Sequence, residues 1–383
     1  MSAIPVAPLA AVTLIEGIER QVSLPPELHW LLYPLLMLAG CGIMTGWITV
    51  VGLLAVWLER KVAGHVQCRL GPMEVGPHGL LQTIADGLKC LAKEDVIPAQ
   101  ADKPLFIVAP LVVFAGVFMA FAVLPFSDDF VVADLNLGVF FLASIGSIEA
   151  IGVIMAGWAS NNKWSLFGAM RTATQVVSYE IPLGLSLLAV VVLAGSFGLR
   201  DIVHAQGFGE HGASGWFWCW YIFRNPFMPI LFIVFFTAAL AEIKRAPFDL
   251  PEAESELVSG FHTEYSGMRF SIFFLSEYAA MYLIGALAAV LFLGGWYTGI
   301  PALDGLTGIP GLLIGTGTMA AKGWFMIWVQ MWLRWTLPRV RLDQVMYICL
   351  KVLLPFGVVG LLGATAWTQF LGERVLFGLV ATH

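Results

Sequence analysis

Residues 241–278 read AEIKRAPFDLPEAESELVSGFHTEYSGMRFSIFFLSEY and carry Glu242, Asp249, Glu252, Glu254, Glu256, Glu264 and Glu277. This acidic stretch joins two strongly apolar segments, at about 226–243 and 270–294. Segments of that length and character match bilayer-spanning helices. The acids are therefore gathered where two spans meet. Carboxylates are expensive to hold there, and their presence points to a function.

The rest of the chain fits that frame. Its 383 residues are 59% hydrophobic and 12% charged, with a mean hydropathy of +0.84. A soluble globule carries about 25% charged residues. The apolar runs are far longer than barrel strands, so the fold class is all-α and polytopic. Candidate spans fall at about 30–58, 105–125, 138–158, 175–195, 226–243, 270–294, 311–333 and 347–371, within one integral membrane domain over 1–383. The loops 59–104 and 242–269 are its functional loops, and 1–29 reads as a tail or interfacial helix. That opening segment has Glu16, Glu19 and Arg20 but no basic n-region, unlike a cleaved signal peptide. A net charge of −6 speaks against a nucleic-acid partner.

Lysines and arginines between spans set orientation. Arg60, Lys61, Arg69, Lys89, Lys93 and Lys103 follow the first span. Lys163 and Arg171 follow the third, Lys244, Arg245 and Arg269 the fifth, and Arg334, Arg339 and Arg341 the seventh. The alternate loops are poor in both. The basic loops then face the cytoplasm, and both termini face the opposite, periplasmic side of a bacterial inner membrane. Within the first basic loop, Leu80, Leu81, Ile84, Leu88 and Leu91 recur at helical spacing, with Asp86, Lys89 and Lys93 among polar positions. This predicts an amphipathic helix at the membrane interface, after turns at Gly71-Pro72 and Gly76-Pro77.

Charges inside spans are functional candidates by default. Counted from the span boundaries, Glu180 and Glu277 lie roughly 8–10 Å deep from the basic side at 1.5 Å per residue. Glu149 and Lys322 fall halfway along their spans, where they are candidates for an ion pair. With Glu242 at the mouth, these form a ladder. Buried carboxylates bind protons at higher pH than exposed ones, so linked carboxylates suit a proton path. Spacings of three and four place Asp249, Glu252 and Glu256 on one face if the segment is helical, with Glu254 pointing elsewhere. Pro247 and Pro251 mark a turn, and Pro251 suits a helix start.

The cysteines (Cys41, Cys68, Cys90, Cys219 and Cys349) form no CxxC pair, and the histidines are scattered. The sequence therefore offers no iron–sulfur or zinc cage and no mid-span haem pair. An electron carrier is expected in another chain or as a diffusing ligand.

Four long strings resemble one family: WLERKVAGHVQCRLGPMEVGPHGLLQTIADGLK (57–89), AEIKRAPFDLPEAESELVSGFHTEYSG (241–267), FFLSEY (273–278) and RWTLPRVRLDQVM (334–346). They are similar to the quinone-site membrane subunit of respiratory complex I, the H subunit of NADH-quinone oxidoreductases. The resemblance extends from about Trp30 to Pro355. It implies eight to nine helices, no cofactor of its own, and quinone as a diffusing substrate. Expected partners are the peripheral-arm quinone-site and iron–sulfur subunits, neighbouring membrane-arm subunits and lipid. The resemblance assigns Arg60, Arg69 and Asp86 to the quinone passage. It assigns Glu180, Glu242, Asp249, Glu252, Glu254, Glu256, Glu264 and Glu277 to an acidic funnel coupling quinone reduction to proton translocation, extended inward by Glu149 and Lys322. Arg334, Arg339, Arg341 and Asp343 are expected to meet peripheral subunits. The segment 197–225 and the tail after Gln369 match no functional string and carry no expected role beyond lipid or neighbour contact. The homologous anchor of membrane-bound hydrogenases, which lacks quinone, and a proton-coupled transporter are the competing classes. The QxRxGP…AD pattern favours the first family over the hydrogenase anchor, and the missing inverted repeat argues against the transporter.

Overall fold

A computed structural model describes residues 29–128, 130–207, 216–252, 254–306 and 308–371. The expected interfacial helix near the N-terminus lies outside them. Among the described residues every regular element is helical. In chain order the main helices are α1 (His29–Val66), α2 (Gln82–Ala92), α3 (Lys103–Val123), α4 (Gly138–Ala159), α5 (Lys163–Ala194), α6 (Met228–Glu242), α7 (Gly267–Phe292) and α8 (Ile309–Thr336). The last span runs from α9 (Leu342–Tyr347) through a π-helical turn (Ile348–Leu353) into α10 (Leu354–Leu371). Seven helices are long and apolar enough to cross a membrane, with α6 as a shorter apolar eighth. The chain is a multi-pass membrane protein.

The helix α7 is the centre. Of its most apolar stretch 78% is buried, against 28% for α1 and α8. It packs on α8, α3 and α1, while α3 pairs with α4, α4 with α5, and α5 with α6 and α10. The approach of α7 to α8 depends on Gly285, where a Cβ would meet the Gly323 carbonyl oxygen at 2.8 Å. Prolines at the first or second position start α3, α6 and α8, where no intrahelical N–H is lost.

Seven of the span positions read from hydropathy agree with the helices to within a few residues, apart from the cytoplasmic-side extension of α1. The exception is α5, which begins at Lys163 rather than near 175. The Asn162 side chain caps it by accepting from the Trp164 N–H at 2.9 Å. Its first turns, KWSLFGAMRTAT, are too polar to register as a span, yet Ser165, Gly168, Ala169 and Thr172 are buried. Gly168 lies against the backbone of Pro251 and Phe261, so this part of α5 packs on the acidic loop itself. Glu180 is consequently near the middle of α5, not five residues inside it.

The expected amphipathic helix is α2, and Leu80, Leu81, Ile84, Leu88 and Leu91 are exposed on and beside it. The segment 197–225 does more than meet lipid. Its described parts include the short helices Leu199–His204 and Tyr221–Arg224, with Ile202, Val203 and Tyr221 fully buried. The Gln206 amide donates to the Val290 carbonyl at 2.9 Å and accepts from Gly294 N–H at 3.1 Å, tying the segment to the end of α7.

Candidate functional site

Beyond α6 the chain turns sharply through Lys244–Pro251, and the two basic residues of this turn point inward. Lys244 donates to Glu149 on α4 at 2.9 Å, with both side chains largely buried. Arg245 is only 3% exposed and lies between two carboxylates: Glu277 of α7 at 2.6 Å and Glu59 of α1 at 3.1 Å. Arg334, from the end of α8, closes on the other side of Glu59. The Arg245 guanidinium also stacks 4.2 Å from the centre of the Tyr278 ring. Burial opposes its charge, but Glu277 and Glu59 more than offset this and push its pKa further up. Four helices, α1, α6, α7 and α8, are thus tied through one buried cluster of charges.

The acids of the loop do not share a face. Only Glu254–Leu257 is helical there, so Asp249 and Glu252 lie on non-helical chain. Asp249 accepts from Arg339 at 3.0 Å. Glu256 accepts from Arg171 of α5 at 2.5 Å, and Glu264 from the Asn162 side chain at 2.5 Å. Glu252 faces His262 at 3.9 Å. Burial, followed by the neighbouring charges of Glu277 and Asp249, holds Glu252 well above the usual carboxylate range. Burial lowers the His262 pKa to about 4. The Glu254 side chain lies outside the described residues.

Glu149, Lys244, Glu252 and Glu277 line one small cavity of about 20 Å³, with Val113, Val153, Phe261 and Phe273. Glu149 and Glu242 stand at the edge of a second, mostly apolar cavity of about 50 Å³ that runs along α3, α4, α5 and α7 to Leu187 and Leu287. A cavity holds a water once it offers about 10–15 Å³ and polar partners, so water fits beside the charged groups in each. Glu180 takes a hydrogen bond from Ser147 at 2.5 Å, but its side chain is exposed on the outside of this chain in mid-span.

Lys322 does not pair with Glu149, as depth alone suggests it should. Its ammonium donates to the carbonyls of Leu293, Gly295 and Tyr297 at 2.5, 3.0 and 2.6 Å, and lies 4.1 Å from the centre of the Trp220 ring. It thereby pins the chain that leaves α7. The reason is topological: the loop after α7 folds back toward the middle of α8, while the turn after α6 brings Lys244 to Glu149.

On the other side of the central helices, Arg60 of α1 donates to Asp86 of α2 at 2.5 Å, and Gln82 donates to the same carboxylate at 3.0 Å. Burial opposes the charge on Asp86, but these bonds outweigh it and lower its pKa. Arg69 is exposed and donates to Gln67 instead.

Several functional groups are invisible to sequence reading. By position, Glu59, Lys244, Arg245, Arg334 and Arg339 are loop or helix-end charges. The structure turns all five toward internal carboxylates or guanidinium groups. Arg334 and Arg339 are therefore engaged within the chain, while Arg341 and Asp343 remain exposed. A helix that continues past its apolar stretch through Glu59 is the one sequence signal that draws attention to that acid. No spacing rule joins positions 59, 245, 277 and 334. Among the described residues no cluster of three or more His, Cys, Asp or Glu is arranged to hold a metal ion.

Residues 39–365 match a family model described as NADH dehydrogenase. The NADH-quinone oxidoreductase H subunit of Chlorobaculum tepidum is 50% identical over 315 residues, covering 82% of this chain and 86% of its own length. The H subunit from a Geobacillus species is 50% identical over 311 residues, covering 81% and 86%. A second-copy H subunit (numbered 2) from Cytophaga hutchinsonii is 44% identical over 353 residues, covering 85% and 97%.

Proposed function

Because this chain belongs to the family of NADH-quinone oxidoreductase H subunits, we propose that it forms the membrane-side quinone passage of the complex and couples quinone reduction to proton translocation. The observation that carries the coupling role is the cavity where Glu149, Lys244, Glu252 and Glu277 converge. It links the acidic loop to the interior of the helix bundle.

The division of labour follows from the geometry. Arg60 and Asp86 hold α1 against α2 where the quinone head passes, and the apolar side chains exposed on α2 accompany its tail. Electrons come from an iron–sulfur cluster in a peripheral-arm subunit. Reduction of the head draws two protons and changes the local charge. Glu252, whose burial favours the protonated form, responds first. Asp249, Glu254, Glu256 and Glu264 form the wall of the loop that moves with it, with Arg69 at the edge of the passage.

From Glu277 and Glu252 the proton or charge passes to Glu149 and Lys244 through the small cavity, and from there to Glu242. Glu180, bonded to Ser147 and facing outward in mid-span, hands it to a neighbouring membrane-arm subunit. Lys322 stands at the far end, holding carbonyls six residues beyond Leu287 at the end of the apolar cavity. In this reading the chain sits in a bacterial inner membrane with both termini on the periplasmic side. It holds neither flavin nor metal and takes quinone as a diffusing substrate.

Glu277→Gln and Glu180→Gln test the reading in the intact complex reconstituted into vesicles. Each is expected to lower protons pumped per NADH oxidised while the complex still assembles. Full pumping in both variants sinks the coupling role.

A further inference from the structure

Gly146 lies in the interior of α4, where glycine costs a helix about 1 kcal/mol relative to alanine. Its backbone is helical and no turn requires it. Most glycines at helix contacts in this chain are explained by backbone approach: a Cβ at Gly152 would meet the Val113 N–H nitrogen at 3.0 Å, and one at Gly157 the Ser165 carbonyl oxygen at 2.6 Å. Gly146 differs. The atoms that its Cβ would meet are Oε1 of Glu242 at 2.4 Å and Cδ of the same side chain at 3.6 Å. The missing side chain leaves room for one carboxylate.

That carboxylate has no hydrogen-bond partner among the described residues. It rests at the wall of the 50 Å³ cavity, beside Glu149 and otherwise among apolar side chains. The charged and titratable groups around it are Glu149 on α4, Tyr179 and Glu180 on α5, and Lys244 just past α6. With no donor to fix it, its position is set by shape. We propose that Gly146 is a positioning residue for Glu242: the bare backbone at 146 is the seat that keeps this carboxylate within reach of Glu149 and the cavity. The inference rests on the coupling role proposed above and names a residue through which that role is built.

A methyl at 146 pushes Oε1 from 2.4 Å to the 3.4 Å of ordinary contact, a retreat of 1.0 Å. Only the end of a flexible side chain has to move, so α4 itself is undisturbed. Misplacement by about 1 Å in a reacting geometry costs up to roughly 100-fold in rate. For Gly146→Ala in the intact complex, coupled turnover is expected to fall by roughly tenfold on the same scale. Gly116→Ala is the control, because its Cβ meets Glu149 atoms at an ordinary 3.7 Å; it should behave as wild type. The infrared carboxyl band of Glu242, identified by its loss in Glu242→Gln, should shift in Gly146→Ala and stay put in Gly116→Ala.

In a Glu242→Ala background, Gly146→Ala has nothing left to displace and should add no further loss. An unshifted Glu242 band in Gly146→Ala overturns the proposal. So does a loss that persists undiminished in the Glu242→Ala background, since it would then be packing. If Glu242→Ala itself pumps fully, the coupling role of Glu242 falls, while the band shift still decides whether Gly146 positions it.

Discussion

Replacing Arg245 with methionine removes the cation that separates two buried carboxylates. In the native cluster Glu59, Glu277, Arg245 and Arg334 sum to zero charge. In Arg245→Met, Arg334 remains with Glu59, and Glu277 loses its partner at 2.6 Å. At an effective dielectric of about 20 the two lost attractions are roughly 5–6 kcal/mol each before desolvation is subtracted. The net cost of breaking a buried pair from one side is about 3–5 kcal/mol. Methionine packs against Tyr278 and recovers part of the lost ring contact, so the lower half of that range is expected. It is a large share of the roughly 5–15 kcal/mol by which a folded chain is stable.

The assay is the thermal midpoint of the purified complex in detergent, alongside the amount assembled in membranes. A fall of roughly 5–10 °C is expected. Arg245→Met/Glu277→Gln returns the cluster to zero net charge and should recover a good part of that fall. If Arg245→Met melts with the wild type, or if the double variant is no better than the single, the cluster does not hold the helices together.

Three further outcomes follow from the same geometry. Arg60→Ala unpairs Asp86 and should raise the apparent KM for quinone with little change in assembly; unaltered quinone kinetics remove Arg60 from the passage. Lys322→Met leaves the Leu293, Gly295 and Tyr297 carbonyls without their donor, at about 1–3 kcal/mol for each buried group left unsatisfied. Hydrogen exchange over 294–300 should quicken, and wild-type protection there would show that Lys322 does not pin the loop. His262 is buried in its neutral form, with its pKa lowered from 6.5 to about 4. Its contribution to stability is therefore whole above pH 6.5 and is lost as pH falls through about 4. Its charged or titratable neighbour Glu252, at 3.9 Å, is itself held protonated by burial and does not rescue the imidazolium. His262→Asn should flatten the stability curve across that window, and an unchanged curve would assign the acid loss to other groups.

The element that hydropathy misplaces shows how far such reading goes. A span announces itself by its most apolar twenty residues. The polar first turns of α5 are a helix because Asn162 caps them and because the acidic loop covers Gly168 and Thr172. Both are contacts with residues roughly ninety positions away or with a single capping side chain. Glu180 shifts from near the surface to mid-helix for that reason alone. Conversely, the periodic leucines of α2 are sufficient, because an amphipathic helix is specified by its own spacing.

Residue order and type are enough to establish that the chain spans a membrane with helices, that its carboxylates gather after α6, and that Arg60 and Asp86 belong to one region. Each of these is local: hydropathy and charge are properties of the residues and of their near neighbours. Which charge meets which emerges from the packed helices and from nothing earlier. Lys244 and Arg245, loop charges by position, turn inward to Glu149, Glu59 and Glu277. Asp249, Glu252 and Glu256 part to three different partners instead of sharing a face, and Lys322 goes to backbone carbonyls rather than to Glu149. Ion pairing falls off over a few ångströms, and those distances are set by how helices pack across hundreds of residues, which no spacing along the chain records.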